Sequence, residues 1–545
     1  MLRDSETTLR STQRAPRSCR SCASRKIRCD KAVPCLPCTK RGHADACVRE
    51  TVIVRGEVTT GRDVDGRPSY DELKQENERL RELLARRDSA TVATTQAPRL
   101  TLPYEEYNEY EQLLFSVQGA PKVQRHAFTI GSVILPSRVC SNGMVTYDKQ
   151  WNSWVHYAVE YPAFEEQHTL FMDALDAGVS LADMDAAWLA IYFSILTASI
   201  LTMDDDHHRL QRNWYDAALF FLDRAEFMKR PRLETCQTIA ILEISFSIFG
   251  DHKLSFIMRS CALTVARSLG LDRENPMDES QLTALGKEAR RRLWWTLVIC
   301  EWLSGPHPPS QLTEDDFDIL LPVVDSSHMV RDGPPGLEIH PVQYHVFMAK
   351  TSIVYNRFRR SLRDPTVARD VLVRKADEEL AGVIHTLPQH LSPDGLAKRQ
   401  EEDLSRRYPW IRWQRVDVTL VLLHHRLEIS RILQNDWQAN PSHYGWARQI
   451  CLGAAKEIIW ISQNWEQSAA KRSQWALAWH VYLAAVFIIS DMKASTANLS
   501  TLTTEKEDIL QGIKFLDSVR ARNVMAGKAA DILRQLLGGG GIPQP

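Results

Sequence analysis

Residues 19–47 read CRSCASRKIRCDKAVPCLPCTKRGHADAC and contain six of the eleven cysteines in the 545-residue chain. These six are spaced C-x2-C-x6-C-x5-C-x2-C-x8-C, which makes two C-x2-C pairs that are each followed by a lone cysteine. The cysteine total is odd, and the N-terminus has no apolar stretch typical of a signal peptide. Both features favour a reducing compartment, in which clustered cysteines bind metal rather than pair. The predicted ligands are Cys19, Cys22, Cys29, Cys35, Cys38 and Cys47.

Six thiolates can hold two metal ions if two of the thiolates are shared. Zinc in a structural site takes four tetrahedral ligands. Two zinc ions therefore need eight ligand positions, which four terminal and two bridging thiolates supply. The alternative is a single four-cysteine zinc site that leaves two thiols spare.

The charge of this segment differs from that of the whole chain. Residues 14–49 contain ten basic and two acidic residues, about +8, whereas the formal net charge of the chain is -1. A small basic head on a mildly acidic body is typical of a nucleic-acid-binding module joined to another domain. Lysine and arginine heads on such a module can reach the guanine O6 and N7 atoms in the major groove. Flanking basic residues, among them Arg17, Arg20 and Lys31, are expected to contact phosphates.

The segment resembles the Zn(II)2Cys6 binuclear cluster domain of fungal transcription regulators. The resemblance rests on the six cysteines, the basic run SRKIRC, the following Asp30 and the loop proline Pro34. It implies a cofactor of two Zn²⁺ per chain, with Cys19 and Cys35 as the bridging thiolates.

The same resemblance assigns DNA contacts. Lys26, the fourth residue after Cys22, matches the family's base-contacting lysine, and Arg25 and Arg28 match its neighbouring basic positions. Family members typically read G-rich, CGG-like triplets in double-stranded DNA. Ala23 departs from the pattern, because the family often has a basic residue there.

The segments around the zinc module are assigned from composition and period. We expect a disordered basic arm at 1–17, the DNA-binding module at 18–48 and linkers at 49–69 and 89–103. Between the linkers, residues 70–88 fit a heptad pattern that predicts a short parallel coiled coil and hence a homodimer. The alternative is a lone solvated helix, since so few heptads are marginal for a coiled coil. The predicted dimer residues are Leu73, Asn77, Leu80 and Leu84.

Helical patterns dominate residues 104–536, which predicts one large all-α body before a flexible tail at 537–545. In SFIMRSCALTVARSLG, the residues Ile257, Cys261, Val265 and Leu269 share one predicted face, with Arg259 off it. Two uncharged runs, 186–203 and 473–490, are long enough to cross a membrane. Polar residues interrupt both runs, so we interpret them as buried core helices and expect no membrane partner.

The body also resembles the fungal-specific transcription factor domain, or middle homology region. The strings that carry this resemblance are YPAFEEQHTLF, LETCQTIAILEIS, RSCALTVARSLGLDRE and EARRRLWWTLVICEWLSGPHPPSQLTEDDFDILLP. The chain departs from the family at Glu301, where an aspartate is usual, and in the shorter turn that follows. The resemblance implies a regulatory, dimer-supporting domain, and transcription machinery or a small-molecule effector as further partners.

An enzyme built on the body is the third hypothesis. The acidic run at 204–206 lies after an apolar helix, as in all-α terpene synthases, but the rest of that metal motif is missing. The sequence has no HExxH, P-loop, dinucleotide fingerprint or GxSxG motif. His424 and His425 are adjacent in a helix, so they point about 100° apart and are read as ordinary helix residues.

The sequence therefore predicts a mostly all-α, nuclear, zinc-dependent and sequence-specific DNA-binding regulator of RNA polymerase II genes, and not an enzyme. A secondary-metabolite cluster or nutrient use is the expected pathway. The alternative is a ligand-sensing or protein-interaction module whose zinc cluster does not select DNA.

Overall fold

The computed structural model divides the chain into two compact units, Met1–Leu100 and Thr101–Pro545. The residues it describes are 11–12, 18–49, 51–54, 57–60, 103–116, 128–204, 208–276, 286–304, 310–324, 337–393, 395, 398–494 and 499–538. Four sets of predictions lie outside these residues and stay predictions: the coiled coil at 70–88 with Leu73, Asn77, Leu80 and Leu84, the linker at 89–102, the contact of Arg17, and the tail beyond Gly538.

A small sheet occupies segments that the sequence analysis assigns to an arm and a linker. Strand β1 (Ser11–Thr12) pairs in parallel with β2 (Thr51–Val54), which pairs antiparallel with β3 (Glu57–Thr60). The prediction of a disordered arm at 1–17 and of a linker at 49–69 is therefore corrected at these residues. The run TVIVRGEVTT is rich in valine and threonine, which favour strands. Two residues separate β2 from β3, the commonest hairpin spacing.

Every regular element that the structure describes in the second unit is a helix, as the all-α prediction requires. The helices are α3 (Pro103–Ser116), α4 (Arg138–Trp151), α5 (Ser153–His156), α6 (Tyr161–Asp176), α7 (Ala186–Thr202), α8 (His208–Arg224), α9 (Leu233–Phe246), α10 (His252–Ser268), α11 (Lys287–Trp302), α12 (Val342–Ser361), α13 (Arg369–His385), α14 (Lys398–Arg407), α15 (Trp410–Ser430), α16 (Gln434–Ala439), α17 (Pro441–Asn464), α18 (Ala469–Arg472), α19 (Trp475–Ala494), α20 (Leu499–Ser518) and α21 (Val524–Leu537). Short 3₁₀ turns connect some of them. The first unit has two short helices, α1 (Arg20–Ser24) and α2 (Leu36–Thr39), and each carries a cysteine.

Two apolar helices lie at the centre of the body. Helix α7 packs against α4, α8 and α9, and α19 packs against α17, α20, α21 and α3. Within the described residues, α19 alone is long and apolar enough to cross a membrane, and 83% of its apolar window is buried inside the protein. Both apolar runs are thus core helices, as the sequence analysis predicts.

Helices α9 to α11 follow their sequence signals closely. Helix α10 ends before Gly270, which has a φ of 78° that suits glycine. In α11, Trp294, Trp295 and Trp302 are buried in the core. The predicted face of α10 is buried at Val265 and Leu269 but wrong at the start of the helix, where Ile257 is 52% exposed whereas Arg259 is only 5% exposed.

Helix α3 attaches to the rest of the body through a buried charged network. The Tyr107 hydroxyl donates to Glu428 Oε1 at 2.8 Å, and Arg431 donates to both oxygens of Glu428 at 3.0 Å. Arg431 also donates to Asn108 Oδ1 at 2.9 Å and lies 4.0 Å from the Tyr107 ring centre. Burial, with Glu428 nearby, raises the pKa of Glu111 to about 8.

Candidate metal centre

The thiols of the N-terminal unit converge on one small volume. Five of the six cysteines are buried, and Cys29 is half-buried. The Cys19 sulfur lies 3.7 Å from those of Cys35 and Cys38, and the Cys22 sulfur lies 3.5 Å from that of Cys35. None of the six forms a disulfide. The fold therefore assembles the six sequence-predicted ligands, although they are spread over 29 positions.

The sulfurs form two groups of four that share two members. One group is Cys19, Cys35, Cys38 and Cys47, and the other is Cys19, Cys22, Cys29 and Cys35, with all ligand atoms in each group within 4.8 Å of one another. A tetrahedral zinc with Zn–S bonds of about 2.3 Å separates its sulfurs by about 3.8 Å, close to the sulfur separations seen here. The residues present therefore fit a metal centre, and the shared thiols are Cys19 and Cys35, which the family resemblance implies as bridges.

Backbone geometry at the two short helices directs the thiols inward. Cys19 and Cys35 stand just before α1 and α2, in extended conformation at the N-cap positions. The Cys22 backbone N–H donates to Cys19 Sγ at 3.3 Å, and the Cys35 N–H donates to Cys47 Sγ at 3.2 Å. Such N–H···S bonds favour the thiolate over the thiol.

The two C-x2-C halves repeat one backbone pattern sixteen residues apart. The Lys26 N–H donates to Ala23 O at 3.2 Å, and the Gly42 N–H donates to Thr39 O at 3.1 Å. Both turns reach the left-handed region, with φ of 54° at Lys26 and 71° at Gly42. The first half thus has Lys26 at the position where the second half has Gly42, and glycine is the residue type that best suits this conformation.

Asp30 holds the loop between the halves. Its carboxylate accepts from the Leu36 N–H at 2.7 Å and from the Ala32 N–H at 3.2 Å. The bond to Leu36 satisfies a backbone donor in the first turn of α2 and places a negative charge there. The resemblance includes Asp30 as a pattern position, but its bracing role appears only in the structure. The ends of the module also meet, because the Arg20 N–H donates to Val48 O at 2.8 Å.

The thiols differ in their acidity. Although burial acts to raise it, the Cys22 N–H and the neighbouring thiols lower the pKa of Cys19 to about 6. Burial and hydrogen bonds with Cys19, Cys35 and Cys38 raise the pKa of Cys22 well above its ordinary value. A thiol with a raised pKa loses its proton when a metal ion binds it.

The basic residues predicted to contact DNA lie on the outside of this cluster. Arg20, Arg25, Lys26, Arg28 and Lys31 are all exposed. Lys26 follows the end of α1 directly after the capping Arg25, which agrees with its assignment to the end of the first helix. The structure thus brings five of the six predicted DNA-contacting residues to the surface of the metal centre.

The part of the body that the structure describes has no comparable ligand set. Among the residues that the structure describes, the groups of three or more histidine, cysteine or acidic residues able to hold an ion are the two cysteine groups. His424 and His425 are buried with their rings 5.0 Å apart and perpendicular, and His424 stacks on His480. Burial lowers the pKa of all three imidazoles, as expected for histidines packed in a core.

The chain is similar to fungal transcription factors in both a family model and individual proteins. Residues 160–372 match the family model described as the fungal specific transcription factor domain. The chain is 21% identical to the probable transcription factor lepB of Aspergillus flavus, over 71% of this chain and 74% of that protein. These matches support a fungal transcription factor. The match to the family model covers α6 to α12, which contain the sequence strings that resemble the family.

Further similarities point to regulators of biosynthetic gene clusters. The chain is 20% identical to the agnestins biosynthesis cluster transcription factor AgnL11 of Paecilomyces divaricatus, over 97% of this chain and 85% of that protein. It is 22% identical to the aurofusarin cluster transcription factor aurR2 of Gibberella zeae, over 52% of this chain and 44% of that protein. The structure of the K. lactis CBF3 core shares the fold, with a TM-score of 0.55 at 14% identity over 79% of this chain and 90% of that one. The three sequence relatives are all named as transcription factors.

Proposed function

We infer that this chain is a nuclear transcription regulator of RNA polymerase II genes that binds double-stranded DNA in a sequence-specific and zinc-dependent manner. The observation that carries this proposal is the pair of four-thiol groups sharing Cys19 and Cys35, surrounded by exposed basic residues. A cluster of this kind is a structural scaffold, because each ion would have four protein ligands and no open position for a substrate.

Two zinc ions would be held by the six cysteines, each ion by its own pair of terminal thiols and by both bridging thiols. Bound zinc would supply the folding energy that a module of this size cannot obtain from an apolar core. Six thiolates and two Zn²⁺ carry a formal charge of about -2. The exposed arginines and lysines offset that charge and leave the module surface positive.

Lys26 is the residue we assign to base contact. A lysine in the left-handed region costs about 1 kcal/mol more than glycine, and Gly42 occupies the matching position of the other half. Lys31 also lies in the left-handed region, with a φ of 69°, so the assignment rests on the exposed position of Lys26 at the end of α1, from which its side chain would read guanine O6 and N7 in CGG-like triplets. Arg25 and Arg28 flank it, while Arg20, Lys31 and Arg17 would contact phosphates.

The assembly and the pathway complete the proposal. A homodimer through the predicted coiled coil at 70–88 would place two modules on two triplets. Control of a secondary-metabolite cluster is the favoured pathway, since two of the similar proteins are named for such clusters.

The DNA-reading role of Lys26 is tested with the full-length chain and two matched duplexes, one with paired CGG triplets and one with the triplets scrambled. In Lys26→Ala, fluorescence anisotropy should show the preference for the CGG duplex reduced by about 1–3 kcal/mol, roughly fivefold to 150-fold. Lys40 is an exposed lysine after α2 and serves as the control. Lys40→Ala should weaken binding to both duplexes by the same factor. Equal affinity of the unaltered protein for the two duplexes would instead support an interaction module that does not select DNA.

A further inference from the structure

The helical body contains a cavity of about 330 Å³ where α5, α7, α9, α10, α11, α12, α15 and α19 meet. Cavities that bind small molecules typically measure about 300 to 1,000 Å³. Protein interiors have few voids larger than a water molecule. A space of this size between eight helices, partly open to solvent, is therefore a candidate ligand site.

Aromatic side chains form much of the cavity wall. The Trp154 ring meets Tyr344 at 4.9 Å and Trp413 at 5.2 Å between ring centres, both edge to face. Trp475 and Trp479 also line the cavity and stack on each other at 5.6 Å. Aromatic walls favour a flat or aliphatic ligand body, and the faces of such rings attract organic cations.

Asp417 supplies a carboxylate beside this wall. It lies on α15 four residues after Trp413, and the Tyr344 hydroxyl donates to it. Asp417 is deep in the body yet keeps accessible surface, because that surface faces the cavity. Among the described residues, no lysine, arginine or histidine forms an ion pair with it. Burial raises the pKa of Asp417 to about 6, so the carboxyl is mostly ionised at neutral pH.

The remaining charged residues at the wall do not compensate Asp417. Arg259 lies 3.7 Å from Glu243 and 3.8 Å from Glu301, so its charge is already paired with carboxyl groups other than Asp417. Burial lowers the pKa of His345 to about 3 and that of His425 to about 4, so both imidazoles are neutral. Asp417 is therefore a carboxylate at the cavity wall without a paired cation among the described residues, and Coulomb attraction between such a group and a cation is stronger where water is partly excluded.

We propose that this cavity binds a small organic cation, a protonated amine carried on an aromatic or aliphatic body. The ammonium group pairs with Asp417, and the body lies against Trp154 and Trp413. The site belongs to the second unit alone, so the proposal does not depend on DNA binding by the first.

The charge preference is tested by calorimetric titration of the full-length chain at neutral pH with three compounds that share one ring system. Tryptamine carries a cation, tryptophol a hydroxyl group and indole-3-acetate an anion. We expect tryptamine to bind at one site per chain, tryptophol to bind at least about tenfold more weakly, and indole-3-acetate to bind less than either. Equal binding of amine and alcohol, preference for the anion, or no amine binding at about 1 mM would overturn the proposal.

Variants locate the site. Asp417→Asn keeps an acceptor for the Tyr344 hydroxyl and should lose at least about tenfold in tryptamine affinity. The control Asp403→Asn makes the same charge change at an exposed position on α14 and should bind as the unaltered chain does. Ser247→Phe, which fills the cavity from its wall without changing charge, should abolish binding. Unchanged affinity in Ser247→Phe would place the amine elsewhere and refute the proposal, even if Asp417→Asn fails to fold.

Discussion

The buried network that attaches helix α3 to the body gives a sharp prediction about stability. In Arg431→Ala, the two hydrogen bonds to Glu428, the bond to Asn108 and the contact with the Tyr107 ring are all lost. Arg431 and Glu428 have side chains only 5% and 7% exposed, so the carboxylate left behind cannot be solvated. Removing one partner of a buried ion pair typically costs about 3–5 kcal/mol.

The cost can be converted into a melting temperature. With an unfolding entropy of about 2.1 cal/mol/K per residue, a body of this size loses about 4 °C for about 4 kcal/mol. The measurement is thermal unfolding of the full-length variant followed by far-UV circular dichroism.

A matched surface pair provides the control. Arg406 and Asp403 are 75% and 59% exposed, so Arg406→Ala should change stability by less than about 0.5 kcal/mol. The reasoning is refuted if Arg431→Ala melts within about 1 °C of the unaltered chain, because the network would then contribute no more than an exposed pair.

Three further predictions concern the charged and metal-binding groups. Burial raises the pKa of Glu111 to about 8, so the folded chain holds a proton on this carboxyl at pH values where the unfolded chain has released it. The free energy of unfolding should therefore fall as the pH rises from about 4.5 to about 8. Glu111→Gln should reduce this fall, as measured by urea unfolding at several pH values across the range. Metal analysis should find both zinc ions lost in Cys35→Ser, which breaks both four-thiol groups, but about one zinc retained in Cys47→Ser, which leaves the other group complete. Removing the metal with a chelator should abolish DNA binding yet leave the helical circular dichroism nearly unchanged, since the body has its own core; loss of most helical signal would contradict this.

The metal centre could be predicted from the sequence almost completely. The spacing of the six cysteines identifies the ligands, because few arrangements of so many thiols serve another purpose. Stoichiometry requires two shared thiols without saying which, and the structure selects Cys19 and Cys35 by the two groups it forms. The bracing by Asp30 could not be foreseen in detail, since it depends on where the loop returns to α2.

The helical body was predictable as a class but not in its interior. Periodicity predicts that Arg259 faces solvent. Arg259 is buried instead, because Glu243 and Glu301 on two other helices lie close enough to pair with it. The cavity could not be predicted for the same reason, because residues from several helices line it. Asp417 and Tyr344 are 73 residues apart in sequence and touch only in the fold. The hairpin differs, because its strands Thr51–Val54 and Glu57–Thr60 are short and lie in a stretch whose composition predicts a linker.

We propose above that the six-cysteine module holds two zinc ions and reads a DNA sequence. Both properties can be measured by selecting random duplex DNA with the full-length chain and determining zinc in the same preparation. We expect two zinc ions per chain and recovery of G-rich, CGG-like triplets, paired at a fixed spacing if the protein is a dimer. Two zinc ions with no recovered sequence would contradict the claim of DNA reading, and one zinc ion per chain would contradict the bridged cluster.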